Sequence, residues 1–286
     1  MNRRAAFHIL AYVALFVFFT FLFVLINYPS ERLADQVNGY LLEATEGSIT
    51  VGSARIKPPR SLELGGITLE MDQGGSLNLG RAVVSLRILA LLAGNKGAEV
   101  RLENPWLDSD LSFVSTGEDW DIDVRSAEID LSELPEEILT LPLSLTGKIG
   151  LSFNLRSSDP AKGISSGEID VTSGPIEIGG DLLEALNLAP LRISRAAAVA
   201  TIKDNILTLG ENSIEGDLAA SARGVIRIAF VDYTASRLDL TVELKPGPSS
   251  RDRLLPVFKL MDAKPKPDGS INMRVRGTVG RPSITM

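Results

Sequence analysis

Residues 143–157 read LSLTGKIGLSFNLRS, and the pattern of this stretch indicates the fold class of the chain. Apolar and polar side chains alternate along it, which is typical of a β-strand with one buried and one solvated face. Segments with the same period, among them residues 166–173 (SGEIDVTS) and 236–244 (SRLDLTVEL), recur from Ser48 onward. Because these segments are short, numerous and bounded by Gly, Pro, Asn or Asp, they predict an antiparallel sheet.

Two local features predict how the strands turn and bend. Asp204 and Asn205 stand between two apolar runs and tolerate the positive φ of a two-residue hairpin turn. The pair Gly65-Gly66 shifts the phase of alternation, which predicts a β-bulge or a corner that would let the sheet bend. Short helices are predicted to interrupt the strands at residues 30–42, 86–94 and 181–188, and at 249–262 near the end of the chain.

The N-terminal region predicts a membrane anchor. Residues 5–26 contain no charged side chain and are long enough to cross a bilayer, for which about 20 apolar residues suffice. A cleaved signal peptide is the competing interpretation, but the apolar run is longer than its usual core of roughly 7 to 15 residues, and no small-x-small cleavage site follows. Two arginines before the span orient the N-terminus toward the cytoplasm. The predicted anchor and its flanks contain Arg3, Arg4, Phe7, Phe16, Phe19, Phe23, Ile26 and Tyr28.

The sequence predicts three regions in the chain, and its net charge disfavours some classes of partner. We expect a cytoplasmic tip and anchor at residues 1–27, an N-terminal β module at 28–134 and a C-terminal β module at 135–286. The formal net charge is −7, with 29 basic and 36 acidic residues. Such a chain is a poor partner for nucleic acid and for anionic lipid surfaces. The absence of cysteine from the sequence is compatible with the periplasm.

The inventory of reactive side chains argues against catalysis. His8 is the only histidine and stands in the predicted anchor, and there is no cysteine. Histidine-assisted nucleophiles and imidazole or thiolate metal sites are therefore excluded from the remainder of the chain. The glycine-rich motifs GxGxxG and GxxxxGK[ST] are also missing. We expect no enzymatic activity, no catalytic or metal-binding residue and no cofactor.

Carboxylates are the only groups left that could support a site. Asp119, Asp121 and Asp123, followed by Asp130, match four positions of a calcium loop, but Val124 stands where the sharp turn requires glycine. On a strand the first three would line one solvated face. Asp108 and Asp110 would share a face in the same way. A glycosidase pair stays open there, although the only candidate sugar platforms are Trp106 and Trp120.

The order of these features resembles two related families. The anchor, the short helix, residues 47–56 (GSITVGSARI), 62–71 (LELGGITLEM) and 84–123 resemble the N-terminal module of the AsmA-like periplasmic proteins. Residues 141–158 and the closing 276–284 (RGTVGRPSI) more closely resemble the type II secretion system protein N family. The resemblance implies a single-pass inner-membrane protein with a periplasmic body that takes part in protein secretion by contact with other secretion components. It also implies a mainly β fold, in which an extended, curved antiparallel sheet with a few short helices follows the transmembrane helix.

The AsmA-like resemblance leaves a second function open. Relatives in that group are associated with moving or holding lipids, and a sheet with one apolar face would make a trough for acyl chains. The same residues would also serve as an ordinary closed core. The candidate apolar inner face consists of Ile149, Leu151, Phe153, Ile169, Val171, Ile202, Leu207, Leu209, Ile226, Ile228 and Phe230.

Overall fold

The protein was analysed as a computed structural model, and its described residues are mainly β. These residues are 29–45, 47–57, 60–70, 75–87, 90, 94–117, 119–135, 143–159, 163–185, 189–229, 232–247, 250 and 266–285. Antiparallel strands form an open sheet with few helices, which confirms the predicted mainly β class. The predicted anchor at residues 1–27 lies outside the described residues. Among the helices that are described, none has the length and apolar character needed to cross a bilayer.

The first of two compact units comprises Met1–Ile88 and Ala98–Glu103. Within it the strands follow one another in sequence order, each antiparallel to the next. Its described elements are helix α1 at Ser30–Thr45 and strands β1 at Ile49–Lys57, β2 at Ser61–Glu70, β3 at Ser76–Leu86 and β4 at Lys96–Asn104.

Helix α1 supplies the core of this unit. It begins at Ser30 as predicted and runs one turn further than expected, to Thr45. Val37 and Leu41 recur on one face of the helix and pack against the buried side chains of Val51, Ile67 and Ala82 from the sheet. This matches the amphipathic pattern read from the sequence.

The strands of the first unit also follow the predicted local features. The register between β2 and β3 shifts at Gly65 and Ile67, and Gly66 has a φ of 64°, which confirms the predicted bulge. Leu86 belongs to β3, so the helix predicted to start there is wrong at its first residue. Most of that predicted helix lies outside the described residues. Gly94 nevertheless adopts the predicted left-handed conformation, with a φ of 80°.

The second compact unit comprises Leu89–Gly97 and Asn104–Met286. It contains a short helix, α2, at Asp181–Ala185 and two 3₁₀ turns at Leu131–Glu133 and Tyr233–Ala235. The described part of α2 begins where the sequence predicted, and the helix predicted at 249–262 lies almost entirely outside the described residues. The strands are β5 Leu107–Thr116, β6 Asp119–Asp130, β7 Ser144–Thr146, β8 Lys148–Ser157, β9 Ser166–Ser173, β10 Ile176–Gly179, β11 Leu191–Lys203, β12 Ile206–Gly216, β13 Leu218–Arg227, β14 Arg237–Pro246, β15 Ile271–Thr278 and β16 Arg281–Thr285.

Strand order in this unit is almost sequential. The path runs β5-β6-β8-β9-β11-β12-β13-β14-β15-β16, with β10 pairing with β11 and β7 beside that path. The turn between β11 and β12 is the predicted one: Asp204 and Asn205 have φ values of 50° and 61°. Asn205 is held further by its side-chain oxygen, which accepts a hydrogen bond of 2.7 Å from the backbone N–H of Ile164.

One buried hydrophobic cluster of the second unit forms where α2 meets the sheet. Its buried members are Leu183 of α2 and Ile271 of β15, at 7% and 2% exposure. Half-buried hydrophobic side chains from four strands and one loop pack around them: Leu143, Ile178, Leu191, Leu218 and Met273. The five described residues of helix α2 span only about 7.5 Å.

Candidate functional site: an apolar face of the second unit

One face of the sheet in the second unit is apolar across successive strands. Phe153 of β8 lies opposite Ile169 of β9, and Ile169 lies opposite Ala200 of β11. Ala200 in turn lies opposite Leu209 of β12. Residues directly opposite one another in an antiparallel pair point to the same side of the sheet. We call this side, carried by β5–β16, the apolar face.

The structure brings most of the predicted inner-face residues together. Through the strand register, the apolar face includes Ile149, Leu151, Phe153, Ile169, Val171, Ile202, Leu207, Leu209 and Ile226. Ile228 lies just after β13, where its backbone N–H donates to the carbonyl oxygen of Asn205 at 2.7 Å. Phe230 lies outside the described residues.

The face extends beyond the residues that the sequence singled out. Leu238, Leu240 and Val242 of β14 continue it, because Leu238 lies opposite Ile226. Met273 and Val275 of β15 lie opposite Val242 and Leu240. On the other side Ile122 and Val124 of β6 lie opposite Leu155 and Phe153. The alternation in residues 236–244 and 271–275 was the signal that would have identified the additional members.

The apolar face is open over most of its width within the described chain. Of the nine predicted residues on it, Ile202 is buried at 4% exposure, whereas the others are half-buried. Away from the cluster around Leu183, no described helix or second layer of strands makes extensive contacts with it. A closed core would bury such side chains almost completely. The described residues therefore form an amphipathic sheet rather than a closed sandwich.

The opposite face carries charged side chains that pair across strands. Asp121 of β6 accepts hydrogen bonds from Asn154 and Arg156 of β8, both at 2.9 Å. Lys148 of β8 donates to Glu128 of β6 at 2.5 Å, and this hydrogen bond raises the pKa of the Lys148 ammonium. Cross-strand pairs of this kind match the alternation of the sequence and keep this side of the sheet in water.

The acidic residues considered for calcium are dispersed by the same geometry. Asp119, Asp121 and Asp123 lie along β6 on the charged face, as predicted for a strand. Asp123 pairs with Arg125 at 3.3 Å. Asp130 instead accepts hydrogen bonds from the hydroxyl and backbone N–H of Ser132, which hold the pKa of its carboxyl below the usual value. Over the described ranges, no group of three or more Asp, Glu, His or Cys residues is placed to hold a metal ion.

Comparison with known proteins identifies no relative. No family model, no curated protein and no solved structure matches this chain. The similarity to the type II secretion system protein N family and to AsmA-like proteins thus stays a prediction from the sequence.

Proposed function

We propose that this chain is a non-enzymatic protein, tethered to the inner membrane with its bulk in the periplasm, and that the apolar face of its second unit holds lipid acyl chains. The observation that supports this is the set of mostly aliphatic and aromatic side chains, many of them only half-buried, that one side of the sheet carries from β6 to β15. Exposed apolar surfaces larger than a few hundred Å² mark binding sites for membranes, partners or ligands. With strands spaced about 4.8 Å apart, this face is wide enough for several chains.

The chemistry of the face favours an acyl chain as its occupant. Most of its side chains are hydrocarbon, with Ser173 of β9 and Asn212 of β12 among the few polar ones. Each buried methylene of a lipid contributes about 0.8 kcal/mol. Strand β11 presents only the methyl groups of Ala196, Ala198 and Ala200 at these positions of the apolar face, and they project little from the sheet. The larger side chains of Ile169 on β9 and Leu209 on β12 border these alanines. A linear chain fits a trough one strand wide better than a globular protein surface does.

The AsmA-like resemblance supports the same assignment, since relatives in that group are associated with moving or holding lipids. The fold proposed here is accordingly AsmA-like, with a transmembrane helix ahead of an extended, curved sheet.

A pair of neighbouring substitutions tests the lipid proposal. Val171 lies on the apolar face opposite Leu151, while Thr172 lies on the charged face opposite Gly150. The full-length variants are extracted from membranes with an amphipathic polymer, and the amount of lipid that copurifies per protein chain is measured. We expect less lipid with Val171→Asp than with Thr172→Asp. A carboxylate among acyl chains costs several kcal/mol, so retention on the face should fall by roughly tenfold or more.

The control keeps this comparison interpretable. Both variants carry the same added charge and the same anchor, so lipid around the anchor cancels, and circular dichroism checks that each retains its sheet. Equal lipid content in the two folded variants would contradict the proposal.

A second candidate function is participation in type II protein secretion through contacts with other periplasmic components of that machinery. One observation favours it: all five residues of the edge strand β16 are exposed, with Ile284 at 57%. An exposed edge accepts an additional strand from a partner through backbone hydrogen bonds.

Crosslinking tests the secretion candidate. A photoreactive residue at Ser283 of β16 should capture a secretion component in the native host, whereas the same residue at Asp170, on the charged face of β9, should not. Recovery of no secretion component from Ser283, or equal recovery from both positions, would contradict participation through this edge.

A further inference from the structure

Arginines from separate parts of the sequence converge on the charged face of β13–β16. Arg227 lies opposite Arg237, Arg237 lies opposite Thr278, and Thr278 lies opposite Arg281. The neighbouring rows contribute Arg223, Arg274 and Arg276. The strand register places one carboxylate, Asp239, among these six guanidinium groups. A local excess of positive charge therefore exists in a chain whose formal net charge is −7.

The pair Arg227 and Arg237 is the unusual feature of this arginine cluster. Like charges placed directly opposite one another across two strands repel and destabilise the pairing. In the part of the chain that the structure describes, neither guanidinium has an ion-pair partner. Asp239 is already engaged by Arg274 at 3.2 Å and Arg276 at 3.4 Å. Those hydrogen bonds hold the pKa of the Asp239 carboxyl below its usual value, so it stays ionised and occupied.

A cavity lies at this cluster. Its volume is about 390 Å³, and its walls include Val225, Arg227, Arg237, Asp239, Arg276 and Thr278. Three guanidinium groups against one carboxylate leave it with an excess of positive charge. The cavity has room for a phosphate group together with part of the molecule that carries it.

We infer that this cavity binds a phosphate group, with Arg227 and Arg237 as the principal donors and Arg276 and the Thr278 hydroxyl beside them. The planar guanidinium presents paired N–H donors that match phosphate oxygens, and such charge-assisted hydrogen bonds are the strong ones. A bound phosphate would also turn the repulsion between Arg227 and Arg237 into attraction of both to a common anion. The phosphate could belong to a lipid headgroup or to a soluble phosphate compound.

This inference is independent of the acyl-chain proposal, because the arginines alternate with Ile226 and Leu238 and so lie on the opposite side of the sheet. The failure of one proposal leaves the other standing. The sequence suggested that an acidic chain avoids anionic surfaces, but a net charge does not reveal a local cluster.

Binding measurements on the full-length chain in neutral nanodiscs test the site. The probes are inorganic phosphate, followed by calorimetry, and vesicles containing phosphatidylglycerol, compared with vesicles of phosphatidylcholine alone. The test variant is Arg227→Gln with Arg237→Gln. We expect it to weaken binding of whichever phosphate probe the wild type binds by roughly tenfold or more, the loss expected for one or more charge-assisted hydrogen bonds.

A matched control separates the site from general charge. Arg192→Gln with Arg195→Gln removes the same charge from β11, away from the cluster, and should leave binding unchanged. Binding to phosphatidylglycerol vesicles alone would identify a lipid headgroup as the source, and binding to inorganic phosphate would identify a soluble one; both support the site. No binding of either phosphate probe, or equal loss of binding in the test and control variants, would overturn the proposed site.

Discussion

Gly224 allows two strands in the middle of the apolar face to approach closely. It lies in β13 with a φ of 139°, and a Cβ built there would collide with the carbonyl oxygen of Asp239 and with Cα of Leu240 in β14. The register places it between Leu209 and Leu240 on the apolar face. Because glycine has no side chain, β13 and β14 can approach one another, and nothing projects from the apolar face at this position.

Replacing Gly224 by alanine should therefore destabilise the protein. We expect Gly224→Ala to lower the free energy of unfolding by about 2 to 4 kcal/mol, because it combines a strained φ with overpacking against backbone. Gly174→Ala is the control, since that position has an ordinary φ and a Cβ added there would meet no atom within 4 Å. Denaturant unfolding measures both. Similar losses in the two variants would contradict the role given to Gly224.

Glu63 gives a residue-scale prediction that depends on pH. Its carboxylate contacts Lys57 and Arg81, each at 2.6 Å, and the hydrogen bond from Lys57 lowers its pKa. A group with a lowered folded-state pKa stabilises the fold above its unfolded pKa of about 4.3, and that contribution disappears as the pH falls through the folded value. Glu63→Gln should thus be less stable than the wild type near neutral pH, and the two should converge in acid. A stability difference that is independent of pH would contradict this.

At the scale of elements, helix α1 protects an edge of the sheet. The side-chain amide of Asn38 donates to the carbonyl oxygen of Val51 at 2.9 Å, and its oxygen accepts from the Val51 N–H at 2.8 Å. Among the described strands, β1 pairs with β2 alone, so these are groups that its other edge would otherwise expose. Asn38 thus satisfies both polar groups of one edge residue while α1 packs its apolar face on the sheet.

Loss of this contact should expose the edge. Asn38→Ala leaves two part-buried backbone groups without their partner, so we expect a loss of about 1 to 3 kcal/mol and faster hydrogen exchange at Val51. Glu43→Ala, an exposed substitution on the same helix, should change stability by no more than about 0.5 kcal/mol. Unchanged exchange at Val51 in Asn38→Ala would show that the contact does not protect the edge.

The sequence predicted the secondary-structure elements better than it predicted their packing. Alternation located the strands, and Asp204-Asn205 and Gly65-Gly66 predicted a turn and a bulge, because these depend on local backbone preferences. Helix α1 extends three residues past its predicted end at Leu42, and Leu86, predicted as the first residue of a helix, belongs to β3. Both are decided by packing and by strand pairing with β4, which local preference does not report.

At the scale of the whole molecule, the sequence predicted the composition of the two faces but not their exposure. A sheet face that a second layer covers and one that is left uncovered give the same alternation of apolar and polar residues in the sequence. The arginine cluster was also invisible, since Arg227 and Arg237 meet only after the register across the β13–β14 connection is known. The net charge of the sequence does not show that arginines from separate strands lie close together in the fold.

We propose that acyl chains, rather than a protein layer, occupy the apolar face of the second unit. Phe153 and Ser152 are adjacent in β8 and point to opposite sides of the sheet. Photoreactive benzoylphenylalanine, placed at each position of the full-length protein in cells and analysed by mass spectrometry after irradiation, compares the two sides directly. We expect lipid adducts at position 153 and none at position 152. Only protein adducts at 153, or equal lipid adducts at both positions, would contradict it.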